Sequence, residues 1–246
     1  MHRFFAEQRE AGICLRAEDA VHALRVLRLT SGDAVEIVLD DARYRAAIQR
    51  VDEGTVWVQR ESRLPDTEPR IHLTLFQGVP KAEKLEWIVQ KTTELGVCEV
   101  IPVLLKRCVA RPEERRAQRQ TERLRKIAEE AVKQSGRIRP PRIESPASLS
   151  QLREAFSRQD LLLIPWEEET PGAGMREMIE AFLADHSPQG IRIGLVVGPE
   201  GGIAPEEMEA LRALGGRSVS LGPRILRTET AAITAVALAL AYAGEL

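Results

Sequence analysis

The sequence predicts an α/β protein in two parts: a small β-barrel or curled sheet, then a mostly parallel sheet with helices on both faces. Three observations carry this prediction. Residues 1 to about 67 hold short apolar or alternating runs of strand length. From Arg70 onward, strand-length apolar runs alternate with segments of helical period, the pattern of successive βαβ units. Two of the later runs stop at glycine-rich breaks about twenty residues apart, where a strand must give way to a loop. A chain of 246 residues with 43% hydrophobic and 29% charged residues can bury a sizeable core, and that balance argues against disorder and a fibrous role.

In the first part, Ala34 to Leu39, Tyr44 to Val51 and Thr55 to Gln59 read as strands, separated by Asp40-Asp41 and by Asp52-Glu53-Gly54. One helix, Ala17 to Leu27, interrupts them on the helical spacing of Val21, Leu24 and Leu27. Leu64 to Pro69, with two prolines and no apolar period, reads as a linker and divides the chain into domains of residues 1–69 and 70–246. Beyond it, Ile71 to Phe76 is a strand that exits through Gly78-Val79-Pro80, and Lys81 to Leu95 is a helix ended by Gly96. Cys98 to Leu105 is the next strand. A basic helix runs from about Glu113 to Gln134 and stops at Ser135-Gly136. Leu149 to Phe156, Met175 to Leu183 and the segment from Pro205 to about Leu214 are helices; Leu161 to Pro165, Ile191 to Val197 and Ser218 to Leu221 are strands. The last helix opens at Glu229. Its apolar segment, Ala231 to Ala243, is too short to cross a bilayer and is alanine-rich, as a core or subunit-contact helix would be.

The net charge of −2 hides an asymmetry. Residues 106 to 142 carry 13 Lys and Arg against 5 Asp and Glu, whereas residues 143 to 246 carry 8 against 15. A concentrated basic block is what a polyanion-binding face looks like, and it is equally what a solvated helix face looks like. Arg3, Arg25 and Arg28, close to aromatic and apolar residues, likewise read as surface arginines around a small barrel or as RNA contacts. The opening MHRFFAEQRE has no apolar stretch of signal-peptide length, and Cys14, Cys98 and Cys108 form no C-x-x-C pair, so a reducing cytoplasm is expected and a zinc ribbon is not.

The two glycine breaks are Leu195 to Gly202, LVVGPEGG, and Leu221 to Ala231, LGPRILRTETA. Glycine lets the backbone approach a ligand closely, so two such loops at strand ends suggest one crevice offering main-chain N–H and C=O groups to a nucleotide-like molecule. GPEGG is neither a phosphate-binding G-x-x-x-x-G-K-[ST] loop nor a G-x-G-x-x-G fingerprint. Neither H-E-x-x-H nor G-x-S-x-G occurs, and His2, His22, His72 and His186 are scattered, so metal-dependent and serine hydrolysis are disfavoured. Glu167-Glu168-Glu169 reads as a solvated loop before it reads as a metal site.

Gly198 to Gly202 and Leu221 to Ala231, taken with Lys91 to Val97 (KTTELGV) and Gln134-Ser135-Gly136-Arg137, resemble the RsmE family of 16S ribosomal RNA (uracil-N3)-methyltransferases, within the SPOUT superfamily. His2 to Phe5 and Val26 to Leu29 resemble its opening, so the likeness spans nearly the whole chain. It implies a PUA-like RNA-binding barrel followed by a SPOUT methyltransferase domain with a C-terminal trefoil knot. It further implies a homodimer that uses S-adenosylmethionine without a metal or membrane, methylating uridine N3 in the decoding region on the assembled small ribosomal subunit. A different RNA nucleotide, or a non-catalytic RNA-binding role in ribosome assembly, is the alternative.

Carried onto this sequence, the resemblance implies a cofactor pocket of three loops: one after Ile164-Pro165-Trp166, one at Gly198, Pro199, Glu200 and Gly201, and one containing Leu221, Gly222, Ile225, Leu226, Thr230 and Ala231. Main-chain groups near Leu221 and Leu226 would bond adenine while Ile225 and Leu226 pack its faces. Arg227 would stabilise the uracil anion. Glu200 or Glu229 would accept the N3 proton if burial raised its pKa, Glu229 also being suited to the N-terminal end of a helix dipole. Arg107, Arg111, Arg123, Lys126, Gln134 and Arg137 would face RNA. Lys84 stands where the family commonly has arginine, and Lys133 where it usually has an acid.

Overall fold

The computed structural model describes residues 1–81, 83–109, 113–166 and 174–246; Arg111 and the Glu167-Glu168-Glu169 run lie outside the described residues. Two compact units result. The first comprises Met1–Glu68 together with Val132–Arg139, the second Pro69–Ala131 and Pro140–Leu246.

The first unit is a closed five-stranded barrel of β1 (Arg3–Arg9), β2 (Gly12–Leu15), β3 (Ala34–Leu39), β4 (Ala42–Asp52) and β5 (Thr55–Arg63), in the order β1-β2-β5-β4-β3. Parallel pairing of β1 with β3, from Arg3 opposite Glu36 to Phe5 opposite Val38, closes the ring and leaves no sheet edge. Alternate residues turn inward: Phe4 and Ala6, Val35, Ile37 and Leu39, Ala46 and Ile48, Val56 and Val58 form the barrel core. Strands β1 and β2 were not expected, because RFFAEQR is half polar and GICL is short; only barrel closure reveals the inward pair Phe4 and Ala6. The expected helix over 17–27 is split. An α-helical turn, α1 (Ala17–Val21), passes into a π-helical turn, His22–Val26, in which Leu27 N–H donates to His22 O at 3.1 Å, and Arg28 then takes a left-handed φ of 57°. Glu36 is buried against the guanidinium groups of Arg3 and Arg43. Burial pushes its pKa up, but those two arginines outweigh burial and hold it below the ordinary glutamate value.

The second unit is built on a parallel sheet. Its strands are β6 (His72–Gly78), β7 (Glu99–Leu104), β8 (Arg142–Ile143), β9 (Ala147–Ser148), β10 (Leu161–Pro165), β11 (Arg192–Val197) and β12 (Arg217–Val219), in the order β12-β10-β11-β6-β7-β8, with β9 also on β7. The helices are α2 (Lys84–Leu95), α3 (Glu114–Ser135, of which residues 132–135 belong to the first unit), α4 (Arg153–Ser157), α5 (Met175–Ala184), α6 (Pro205–Ala213) and α7 (Thr228–Tyr242). Strand residues of period two supply two cores. Leu73, Leu75, Leu163, Leu195 and Val197 face α2, α3, α5 and α7, while Phe76, Leu162, Ile164 and Val196 face α4 and α6.

Local signals account for most boundaries. Helix α6 starts from the extended Ala204 with Pro205 at its first position, and the Glu207 carboxylate three residues on accepts the Ala204 N–H at 3.1 Å. Helix α2 ends at Gly96, whose φ of +123° no β-carbon tolerates well and whose β-carbon would meet Pro69 Cγ at 2.9 Å. Helix α7 begins at Thr228, one residue before the expected Glu229, and is apolar nearly all round. Ala232, Ala235, Val236, Ala239 and Leu240 are buried against α2, α5 and the sheet.

Candidate active site

Strands β10, β11 and β12 run parallel, so their C-terminal ends emerge on one side, at Trp166, Gly198 and Ser220. Loops leaving the carboxyl ends of such a sheet are where α/β proteins bind ligands. Between them lies a cleft of about 680 Å³, within the range of small-molecule sites. Pro165 and Trp166 form one wall, the stretch from Val197 to Glu200 with Gly202 and Ile203 a second, and the stretch from Ser220 to Thr228 with Ala231 a third; Lys84 reaches in from α2.

The second wall is shaped by close backbone approach. A β-carbon on Gly78, at the end of β6, would lie 2.6 Å from the Pro199 nitrogen, so glycine there lets the GPEGG loop lie directly on the neighbouring strand. Gly202 takes φ +72°, and its N–H donates to Pro199 O at 2.9 Å, closing the turn. Beneath the loop, Thr228 Oγ1 donates to Gly198 O at 2.6 Å and accepts from Gln77 Nε2 at 2.9 Å. At its tip the Glu200 carboxylate accepts the Lys81 N–H at 3.1 Å and pairs with Lys84 Nζ at 3.1 Å; the same ammonium lies 3.2 Å from Glu229 Oε2. For Glu200, partial burial raises the pKa but backbone N–H groups and Lys84 outweigh it, so the net shift is downward. The two carboxylates, Glu200 before Glu229, push Lys84 upward. The condition under which Glu200 would serve as a general base, a pKa raised by burial, is not met: its net shift is downward, which weakens it as a proton acceptor.

Of the expected pocket residues, Pro165, Trp166, Gly198, Pro199, Glu200, Leu221, Gly222, Ile225, Leu226 and Ala231 line the cleft, as does Arg227, expected as a catalytic group. Ile164 does not; it is fully buried under α6 in the core. A β-carbon on Gly201 would meet Arg107 Cβ at 3.0 Å, and Thr230 is exposed; neither residue lines the cleft. Glu229 reaches the site through Lys84. Gln77, Gly78 and Thr228 were not singled out as functional. A glutamine inside the apolar run LTLFQG was the available signal for the first.

The expected RNA contacts separate by exposure. Arg25, Arg28, Arg107, Arg123, Lys126 and Gln134 are exposed, although Arg107 Nη1 donates to Gly201 O at 3.0 Å and Arg123 pairs with Glu86 at 2.8 Å. Arg137 is 5% exposed and bound to Glu68 at 2.6 Å, and Arg3 is paired with Glu36, so these two guanidinium groups are engaged inside the first unit. Among the described residues no group of three His, Cys, Asp or Glu could hold a metal, and no helix is long and apolar enough to cross a membrane.

A parallel sheet with a cleft among the loops at its carboxyl edge is the architecture of an α/β enzyme domain. Residues 67–240 match the RNA methyltransferase domain family, and residues 15–59 the RNA methyltransferase PUA domain. The ribosomal RNA small subunit methyltransferase E of Bacillus subtilis is 34% identical, over all of this chain and 98% of its own, and that of Aquifex aeolicus 29% identical over 98% and 100%. Among solved structures, a putative methyltransferase from Legionella pneumophila in complex with its cofactor SAM superposes with a TM-score of 0.76 at 30% identity, covering 97% of this chain and 96% of the other. A ribosomal RNA small subunit methyltransferase E from Neisseria gonorrhoeae, bound to S-adenosyl methionine, gives a TM-score of 0.77 at 26% identity, covering 98% of this chain and 97% of the other. The chain belongs to the ribosomal RNA small subunit methyltransferase E family, and is a small-subunit rRNA methyltransferase dependent on S-adenosylmethionine.

The cleft fits that cofactor. Trp166, whose indole N–H is buried with no hydrogen-bond partner among the described residues, lines its wall. Leu221, Leu226 and Ile203 give apolar walls of the kind an adenine needs.

Proposed function

We propose that this protein methylates N3 of a uridine in the decoding region of 16S rRNA, acting on the assembled small ribosomal subunit in the cytoplasm. The observation that carries this reading is the cleft at the ends of β10, β11 and β12, walled by GPEGG and LGPRILRT and edged by the exposed Arg227. S-adenosylmethionine supplies an electrophilic methyl group when bound, so the protein's task is to align an in-line displacement and favour the uracil anion. Main-chain groups at Leu221 and Leu226 would hold the adenine, with Ile225 and Leu226 available to cover its faces. Arg227 sits against uracil O2 or O4, where its charge lowers the cost of losing the N3 proton to solvent. Glu200 and Glu229, both on Lys84, hold the walls of the site.

The barrel of residues 1–69 serves as the RNA-binding domain, with Arg25 and Arg28 on its surface, and residues 70–246 form the catalytic domain. Arg107, Arg123, Lys126 and Gln134 meet phosphates along and beside α3, where positive charge is concentrated. The same reading takes the active form as a homodimer with a knotted C-terminal segment, and the apolar surround of α7 supports such a contact. Mass spectrometry of 16S rRNA from a strain lacking the gene, with and without the complementing chain, tests the function. Restoration of 3-methyluridine is expected; a 3-methyluridine content that does not respond to the chain overturns the proposal.

A further inference from the structure

Lys84 sits where a lysine is locally unfavourable. It is the first residue of α2, beside the positive end of the helix dipole, where carboxylates are stabilised and ammonium groups are not. Compensation comes from two segments far away in sequence. Its Nζ lies 3.1 Å from Glu200 Oε1, in the middle of the GPEGG loop, and 3.2 Å from Glu229 Oε2, in the first turn of α7. The side chains are 33%, 27% and 18% exposed, so water screens the cluster only in part. The Lys81 N–H, at 3.1 Å, fixes the same Glu200 carboxylate from the main chain.

A second tie runs beneath this one and is neutral and buried. Gln77 Nε2 donates to Thr228 Oγ1, which donates to Gly198 O. Gln77 and Lys84 therefore tie the two loops at two levels: at their roots through the chain Gln77–Thr228–Gly198, and at the rim through Lys84. The rim tie spans the second and third walls of the cleft, and Lys84 itself lines the space between them.

We infer that Lys84 is a positioning residue whose ammonium, bound to Glu200 and Glu229 together, sets the spacing between the GPEGG loop and the LGPRILRT loop and so holds the cleft at the width its ligand requires. The inference rests on the reading of the cleft as the S-adenosylmethionine site. Lys84 acts through the two carboxylates, so arginine, which can bridge the same pair, preserves the effect, while methionine, similar in length and uncharged, abolishes it.

The test uses the full-length protein with Lys84→Arg, Lys84→Met, Glu229→Gln and the double variant Lys84→Met/Glu229→Gln. S-adenosylhomocysteine binding is measured by calorimetry, methyl transfer to small subunits from the deletion strain by steady-state kinetics, and folding by thermal unfolding. Lys84→Met is expected to weaken S-adenosylhomocysteine binding about fivefold, the weight of one partly sheltered ion pair. KM for S-adenosylmethionine rises in parallel, kcat at saturating cofactor is unchanged, and Lys84→Arg restores both constants. In the double variant the two losses do not add, because removing the Glu229 charge relieves a repulsion that the first substitution exposed. Wild-type affinity in Lys84→Met, or an arginine variant as weak as the methionine one, overturns the inference while leaving the cofactor reading intact. A fall in kcat with unchanged cofactor binding also overturns it, since Lys84 would then act on the RNA base. Failure of the wild-type protein to bind S-adenosylhomocysteine overturns the cofactor reading and the inference with it.

Discussion

The two glycine-broken loops that wall the cleft are built in opposite ways. GPEGG is fastened along its length. Gly78 brings β6 against Pro199, Gly198 accepts from Thr228, Glu200 is held by Lys81 and Lys84, and the Gly201 carbonyl accepts from Arg107. LGPRILRT is held mainly at its ends, by the Ser220 hydroxyl on the Gly222 N–H and by Thr228. Between them a β-carbon on Gly222 would meet nothing within 4 Å, and Ile225 is 88% exposed. A wall made of many contacts resists displacement, whereas a segment with few contacts opens locally at low cost. Substitutions on the first loop should therefore appear as lost stability, and those on the second as altered binding or turnover.

The largest expected effect lies on the open loop. Arg227→Ala should lower methyl transfer by about a hundredfold or more, the usual cost of removing one charge-stabilising donor, while S-adenosylhomocysteine binding and the thermal midpoint stay near wild type. Loss of cofactor binding would instead make Arg227 part of the pocket wall. Next comes a matched pair of glycine substitutions. Gly78→Ala forces a β-carbon against Pro199 backbone atoms and should destabilise by about 1–3 kcal/mol. Gly222→Ala meets only the strain of φ +107°, about 1 kcal/mol. Equal shifts in denaturant midpoint would erase the contrast between the loops.

Thr228→Val should cost about 1–2 kcal/mol, since it leaves the buried Gln77 amide and the Gly198 carbonyl short of partners. Chemical denaturation measures it, and a neutral result would show that the root tie carries no weight. The smallest effect concerns pH. Glu200 has a depressed pKa in the folded protein, so its contribution is present above the unfolded glutamate value and lost as pH falls through the lower folded one. Lys84 has a raised pKa, so its contribution is complete below the unfolded lysine value and lost as pH rises through the folded one. The difference in thermal midpoint between wild type and Lys84→Met should thus be flat from about pH 5 to pH 10 and shrink at either extreme. A difference that peaks at the extremes would contradict the ion cluster.

Much of the cleft was legible in the chain because glycine marks strand ends: GPEGG and LGPRILRT both fall where β11 and β12 stop. The α/β alternation was legible because β7, β10 and β11 are largely apolar runs of strand length and α2, α3 and α5 keep a helical period, whereas the two-residue strands β8 and β9 carry no such signal. What escaped depends on distance in sequence. The Gln77–Thr228 contact joins residues 151 apart, and Glu68 meets Arg137 across 69 positions, so nothing local distinguishes a buried Arg137 from an exposed Arg123. The downward Glu200 shift is out of local view for the same reason, since Lys81 and Lys84, which produce it, lie 119 and 116 positions away. Ile164 was placed in the pocket by its neighbours Pro165 and Trp166, but strand alternation turns it into the core beneath α6.

The buried pair of Glu68 and Arg137 bears on how separable the barrel is. Its unit is assembled from two stretches of chain, Met1–Glu68 and Val132–Arg139, and the Glu68 carboxylate, which accepts from Arg137 and from the Ile138 N–H, loses those partners in any fragment that ends at residue 68. A buried acid stripped of its cation is costly to retain. The barrel is thus not a portable cassette: a gene cut at Pro69 divides one folded object in two, and grafting this RNA-binding fold elsewhere requires carrying residues 132–139 along with it.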